Sequence, residues 1–229
     1  MYSSFSEYFT SSDHTSGAVT IACLGDSVTA GFFAFRAPMQ AELAYPHLLW
    51  QGLRRVFPDK TVNLLSAGIG GDTAAMGLAR IDRDVLSHRP DLCTVCFGAN
   101  DIWAEDTAEF ESSLRRIVAC LLQAGIPPGL MTQHHMNKTV SPDTHPDLLD
   151  IARRMAERQN SGHAASFFAV TRRLAAEYDL PLVDVWAAYD RMTAEGVDTD
   201  ALLANHVNHP TPAVHRDLYA KMLLDVLTK

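Results

Sequence analysis

The chain has 229 residues, of which 19 are Lys or Arg and 27 are Asp or Glu, giving a net charge of −8. That length buries a core without disulfide or metal staples, and the 47% hydrophobic content excludes a wholly disordered chain. The acidity argues against a nucleic-acid partner, because holding a phosphate backbone takes a concentrated basic surface. No run of about 18 apolar residues occurs, so a membrane-spanning helix is excluded and no membrane partner is expected.

The N-terminal stretch MYSSFSEYFTSSDHTSG has no basic n-region and no apolar h-region. It does not read as a signal peptide, and a cytoplasmic location is expected. Residues 1–17 read as a tail, a flexible arm or a contact in a homo-oligomer, and residues 18–229 as one domain. Of the four cysteines, Cys23, Cys93, Cys96 and Cys120, three sit in apolar runs and read as buried thiols in a reducing compartment. Cys93 and Cys96 have the spacing of a metal or redox pair. They fall inside the strand-like run LCTVCF, however, where side chains three apart face opposite ways.

Apolar strands are predicted at Ala18–Leu24, Thr61–Ala67, Leu92–Phe97, Gly129–Thr132 and Leu180–Val185. Between them, helical spacing predicts helices over Tyr45–Val56, Thr73–Leu86 and Thr107–Gln123. Further helices are predicted over Ser161–Tyr178 and Pro212–Leu227. Asp106 is placed to cap the third helix, Gly125 to stop it, and Thr211 with Pro212 to start the last. The cluster Arg153, Arg154 and Arg158 reads as a solvated helix face. Five short strands alternating with helices imply a parallel sheet covered on both faces. Ligands of such sheets bind beyond the carboxyl ends of the strands, so the chemistry is sought in the loops there. The longest irregular stretch, 133–148, is expected to act as a lid or substrate wall.

Strand one leads into Gly25-Asp26-Ser27-Val28-Thr29-Ala30-Gly31. A serine there is either a helix cap or a nucleophile awaiting a base. The spacing does not fit a P-loop, and Val28-Thr29 breaks the G-x-S-x-G elbow. Strand two leads into Gly68-Ile69-Gly70-Gly71-Asp72-Thr73, where Thr73 occupies the third glycine position of a dinucleotide fingerprint and spoils it. Gly71 offers a backbone N–H with no side chain in the way. After strand three, Asn100 is either a turn former or an amide donor to an oxyanion. Near the C-terminus, His209-Pro210 presents an imidazole in a loop, suited to act as a general base. His215 is a rival base, six residues on and expected inside the last helix. His134, His135 and His145 invite a metal reading, but they are better read as substrate wall or plain loop. Neither metal nor organic cofactor is expected.

Jointly, GDS near the N-terminus, a glycine loop ending GDT, then GAND, then HP before the final helix resemble the SGNH hydrolases, the GDS(L)-type esterase and lipase superfamily. The resemblance implies a flavodoxin-like three-layer αβα sandwich around a five-stranded parallel sheet. It also implies a serine esterase working through an acyl-enzyme on a small or short-chain ester, such as a carbohydrate acetyl ester. By residue, it implies Ser27 as nucleophile and His209 as base. The Gly71 N–H, the Ser27 N–H and the Asn100 amide would form the oxyanion hole. Asp26, Asp101 and Trp103 are candidates for the substrate pocket.

One position departs from the pattern. The family's histidine follows an acid by three residues, and here that position is His206. Four accounts stand open: Asp198 or Asp200 substitutes, a backbone carbonyl orients the ring, His206 itself accepts the bond, or catalysis is impaired. The alternative functions are accordingly a binding domain that has lost its chemistry, or an acyltransferase using the same residues.

Overall fold

In a computed structural model, residues 17–228 are described; the proposed tail over 1–17 lies outside them except for Gly17. Five parallel strands form one sheet in the order β2-β1-β3-β4-β5. They are β1 Val19–Gly25, β2 Val62–Gly68, β3 Leu92–Cys96, β4 Pro128–Thr132 and β5 Leu182–Asp184. The helices are α1 Ser27–Ala30, α2 Tyr45–Val56, α3 Ala74–Asp84, α4 Ala108–Gln123, α5 Leu149–Asn160, α6 His163–Glu177 and α7 Val185–Ala194. The final helix, α8, runs through Pro212–Val214, a π-helical stretch at His215–Ala220, and Lys221–Thr228.

The inner strands read as largely apolar runs because both faces of the sheet are covered there, while the edge strand β2 exposes Asn63 and Ser66; side chains alternate between the two faces. Ala22, Leu24, Cys93, Val95 and Leu130 pack into one buried cluster with α3, α4, α5 and α6. Ile21, Cys23, Leu92, Cys96 and Met131 pack into the other with α2, α7 and α8. Cys93 and Cys96 therefore occupy opposite layers as free thiols. Burial pushes the Cys23 thiol up to about 12. Each fully buried leucine of these layers contributes roughly 1.5–3 kcal/mol.

The predicted strands all form, with ends shifted by one or two residues. Three helices escape the sequence reading, the single turn α1 among them. α5 buries mainly small residues, Ala152 and Ala156 beside Met155, so its apolar stripe is faint. α7 starts directly after β5 with Asp184 accepting from the Ala187 N–H (3.1 Å), and so Val185 reads as strand. Other start signals hold: Asp106 accepts from the Ala108 N–H at 2.9 Å, and Thr211 Oγ1 accepts from the Val214 N–H at 3.4 Å. No helix of the described residues is long and apolar enough to cross a membrane.

The strand order reverses direction at β1. The chain leaves β1 for β2 on one side and returns to β3 on the other, which opens a crevice at the carboxyl ends of β1 and β3.

Candidate active site

Ser27 stands at this crevice because Gly25 lets the chain turn sharply out of β1. A Cβ on Gly25 would lie 2.1 Å from Thr29 Oγ1 and 2.7 Å from the Cys96 carbonyl. Asp26 then caps α1, its Oδ1 accepting from the Val28 N–H at 2.9 Å. As the first residue of α1, Ser27 has a backbone N–H with no intrahelical acceptor.

The glycine loop after β2 is held from beneath by Arg80 on α3. Its guanidinium donates to the carbonyls of Gly25 and Ala67, both at 2.9 Å, and to Asp72 Oδ2 at 2.6 Å. This buried cation spans the ends of β1 and β2 and fixes Asp72. Gly71, at φ +85°, needs the left-handed region that glycine enters freely. Its N–H makes no hydrogen bond among the described residues. Asn100, after β3, donates one amide hydrogen to the Asp72 carbonyl at 2.9 Å, which leaves its second hydrogen for the crevice.

Gln133, at the end of β4, ties these pieces together. It accepts from the Ala99 N–H at 2.7 Å and donates to Asp26 Oδ2 at 2.9 Å. The Ala99 donor fixes the amide's orientation, so Asp26 faces the NH2 end. Burial lifts the Asp26 carboxyl to about 7, against the lowering effect of the Gln133 and Val28 bonds.

His209 arrives from the other end of the chain. Its Nε2 lies 3.0 Å from Ser27 Oγ, 182 residues away in sequence. The preceding loop is closed by an antiparallel bridge between Leu203 and Pro210. Inside it, Asn205 Oδ1 accepts from the N–H groups of Val207, Asn208 and His209 at 2.9–3.0 Å. From below, His134 Nε2 meets the Asn208 carbonyl at 3.0 Å, and its Nδ1 meets the Tyr219 hydroxyl at 2.9 Å. Burial lowers the His209 pKa to about 4, with the Phe33 carbonyl acting in the opposite sense.

None of the three residues considered as orienting partners bonds to His209. Asp200 is occupied by the Lys138 and Thr139 N–H groups and the Thr139 hydroxyl. Asp198 accepts from the Asp200 N–H. His206 sits in left-handed backbone at φ +59° and makes no side-chain bond to the ring. His209 Nδ1 is buried without a hydrogen-bond partner, and the Phe33 carbonyl is the backbone acceptor beside the ring.

A cleft of about 650 Å³ contains Ser27, Gly71, Asn100 and His209 together, and Trp103 shares its wall. Asp26 and Asp101, considered for the pocket, lie behind it. Asp26 is fully buried, and Asp101 is 7% exposed with Oδ1 on the Ala74 N–H, so it caps α3. The remaining walls are mostly apolar: Phe32, Phe35, Leu148, Ile151, Met155 and Val207.

Sequence reasoning missed the walls supplied by α5, since it did not assign that helix. It also missed Gln133, Asn205 and Arg80, which carry no motif of their own. Of the 133–148 stretch, only Leu148 lines the cleft. His134 and His135 are buried rather than wall residues, and His135 pairs with Asp190 at 2.9 Å. His145 packs on Phe35, at 4.8 Å between ring centroids. His215 lies inside α8 as expected. It is fully buried and accepts the Tyr45 N–H on Nδ1, with no bond to Ser27.

The fold and the cleft at the β1/β3 crevice define an αβα acyl hydrolase. Residues 23–216 match the GDSL-like Lipase/Acylhydrolase family, and the chain belongs to it; it is a carboxylic ester hydrolase. It is 28% identical over 210 residues to the Thioesterase 1/protease 1/lysophospholipase L1 of Escherichia coli K12, covering 90% of this chain and 84% of that one. It is 26% identical over 207 residues to an arylesterase of Vibrio mimicus, covering 90% and 86%. An acetylxylan esterase from Geobacillus stearothermophilus shares the fold, with a TM-score of 0.71, 22% identity, and coverage of 93% and 96%.

Proposed function

We propose that Ser27, His209, Gly71 and Asn100 are the working residues of this serine esterase, and that it cleaves a small or short-chain acyl ester. Carbohydrate acetyl esters belong to that class, and an acetylxylan esterase is among the structural relatives. The observation that carries the assignment is the 3.0 Å contact between Ser27 Oγ and His209 Nε2 at the mouth of the cleft.

The chemistry follows from the donors and acceptors present. His209 takes the Ser27 proton as the oxygen attacks the ester carbonyl. The tetrahedral oxyanion is met by the N–H groups of Ser27 and Gly71 and by the free Asn100 amide hydrogen. Donors of this kind are each worth about 10²–10³ in rate. His209 then gives its proton to the leaving alcohol, and water repeats the sequence on the acyl-enzyme. With no carboxylate on Nδ1, the Asn205 loop and burial orient the ring, and the imidazolium is less stabilised than in an acid-assisted triad.

The direct test is turnover of p-nitrophenyl acetate by the wild type, Ser27→Ala and His209→Ala, with an organophosphonate probe mapped by mass spectrometry. Both variants should lose at least about 10³-fold in kcat, and the adduct should sit on Ser27. Persistent turnover in both, or an adduct elsewhere, overturns the assignment.

A further inference from the structure

We propose that Arg154 is a specificity residue, and that the preferred substrate is an ester carrying a carboxylate on its acyl or alcohol part. The proposal rests on the esterase reading of the Ser27 cleft and narrows its substrate class.

Arg154 projects from α5 into the same cleft as Ser27 and His209, and it is the only Lys, Arg, Asp or Glu among the lining residues. The rest of the lining is phenylalanine, leucine, isoleucine, methionine, valine and tryptophan together with uncharged polar side chains such as Asn100, Asn205 and Asn208. Arg154 is exposed along the open side of the cleft, where its charge meets no acidic side chain of the lining. Two other arginines nearby are paired with acids, whereas the exposed Arg153 has no such partner among the described residues. Arg158, one turn on, pairs with Glu105 at 3.6 Å, and Arg36, beside Phe35, pairs with Asp147 at 3.0 Å. Arg154 makes no ion pair among the described residues, Asp150 one turn earlier included.

Its guanidinium is nevertheless held in place. The Arg154 Cζ lies 4.9 Å from the centre of the Trp103 ring, and Trp103 follows Asn100 by three residues on the same short helical turn. With Cζ over the ring, the guanidinium N–H groups make no hydrogen bond among the described residues, and they form a fork of donors matched to a carboxylate. The stacking also covers that face of Trp103, so it offers no platform there for an uncharged sugar ring. His209, lowered to about 4, is neutral at working pH and adds no second positive charge. One cation with no lysine beside it matches a monoanion better than a phosphate dianion, which would leave a charge unmatched.

Two pairs of esters of similar shape test this. On the acyl side, p-nitrophenyl succinate monoester is compared with p-nitrophenyl isocaproate. On the alcohol side, para-acetoxyphenylacetate is compared with para-acetoxyphenylacetamide. In the wild type, kcat/KM should favour the anionic member of at least one pair by about tenfold or more, the scale of one charge-assisted hydrogen bond. The preference should shrink in high salt. In Arg154→Gln the ratio should fall toward one, whereas Arg153→Gln, an exposed neighbour outside the cleft, should keep the wild-type ratio. Trp103→Leu, which frees the guanidinium, should reduce the ratio without abolishing it. Hydrolysis of the neutral esters with no anionic preference in either pair, or a ratio unchanged in Arg154→Gln, overturns the specificity proposal and leaves the esterase reading intact. Failure to hydrolyse any of the four esters overturns both.

Discussion

Gln133 and Asp26, which stand at the ends of different strands, are joined by a 2.9 Å bond from Nε2 to Oδ2. Through this bond the residue before Ser27 and the residue before Asn100 share one side chain, because Gln133 also accepts from the Ala99 N–H. A buried glutamine thereby ties together the chain segments that carry Ser27 and Asn100. Replacing it with alanine strands the Ala99 N–H and removes one of the bonds that favour ionised Asp26. The expected cost is about 1–3 kcal/mol of stability, with kcat falling more than KM rises.

Gln133→Glu gives a prediction with a pH sign. Asp26 is already raised to about 7 by burial. Between the ordinary carboxylate pKa of about 4 and that value, the folded protein holds a proton the unfolded chain has released. The stability linked to that proton is present at low pH and is lost as pH rises through 7. A second carboxyl beside Asp26 enlarges the effect, since both cannot ionise cheaply. Urea unfolding should therefore show a larger stability deficit for Gln133→Glu at pH 8 than at pH 5. An equal deficit at the two values would mean that the pair is not buried as described.

As the proposed general base, His209 should set the acid limb of the activity profile. Its pKa is lowered to about 4, so the ring is neutral and able to accept the Ser27 proton at any pH above that. The kcat/KM profile, which reports the free enzyme, should fall off near pH 4 rather than near the ordinary imidazole value of about 6.5. A limb near 6.5 would indicate an imidazole that is solvated or paired with an acid.

Much of this was legible in the chain, and the rest was hidden for physical reasons. β1 through β5 announce themselves because a sheet covered on both faces needs continuous apolar runs. Taken singly, Ser27, Gly71, Asn100 and His209 also read as a helix cap, turn formers and a surface histidine, and they stand out only through the joint resemblance of their four motifs to the SGNH hydrolases. Asn205 and Gln133 do not, since an amide that serves backbone N–H groups resembles any loop amide until the loop is folded. Arg154 looked like one of three solvated arginines. Both Arg153 and Arg154 are exposed, and only the folded position of α5, which sets Arg154 over Trp103 at the cleft wall, tells them apart. Asp198 and Asp200 show the converse failure: being close in sequence to His209 did not bring them to it, because the 138–139 backbone claims the Asp200 carboxylate.

His206→Asp restores an acid three residues before His209. The left-handed backbone at position 206, φ +59°, is among those aspartate tolerates, so the substitution costs little strain. A carboxylate reaching the unpartnered Nδ1 would stabilise the imidazolium. Activity on p-nitrophenyl acetate should stay equal or rise, and the acid limb should move upward from pH 4. A loss of more than about tenfold would show that His206 has a role of its own.

Asn205 is the strongest test of how the ring is held without an acid. Its Oδ1 takes three consecutive-loop N–H groups, including that of His209 at 2.9 Å, and its Nδ2 donates to Asn208 Oδ1 at 2.9 Å. In Asn205→Ala those N–H groups lose their common acceptor and the loop no longer has a centre. A displacement of about 1 Å at a reacting group can cost about 10² in rate, so kcat should fall by about 10–100-fold with KM little changed. Asn205→Asp keeps an oxygen for all three donors and gives up only the bond to Asn208, so it should recover most of the loss. A purely structural role would lower the melting temperature in step with activity in both variants. The positioning role instead shows as a kcat loss in Asn205→Ala that persists at temperatures where the protein is fully folded. Wild-type kcat in Asn205→Ala, or no recovery in Asn205→Asp, would assign the orientation of His209 to burial and the Phe33 carbonyl alone.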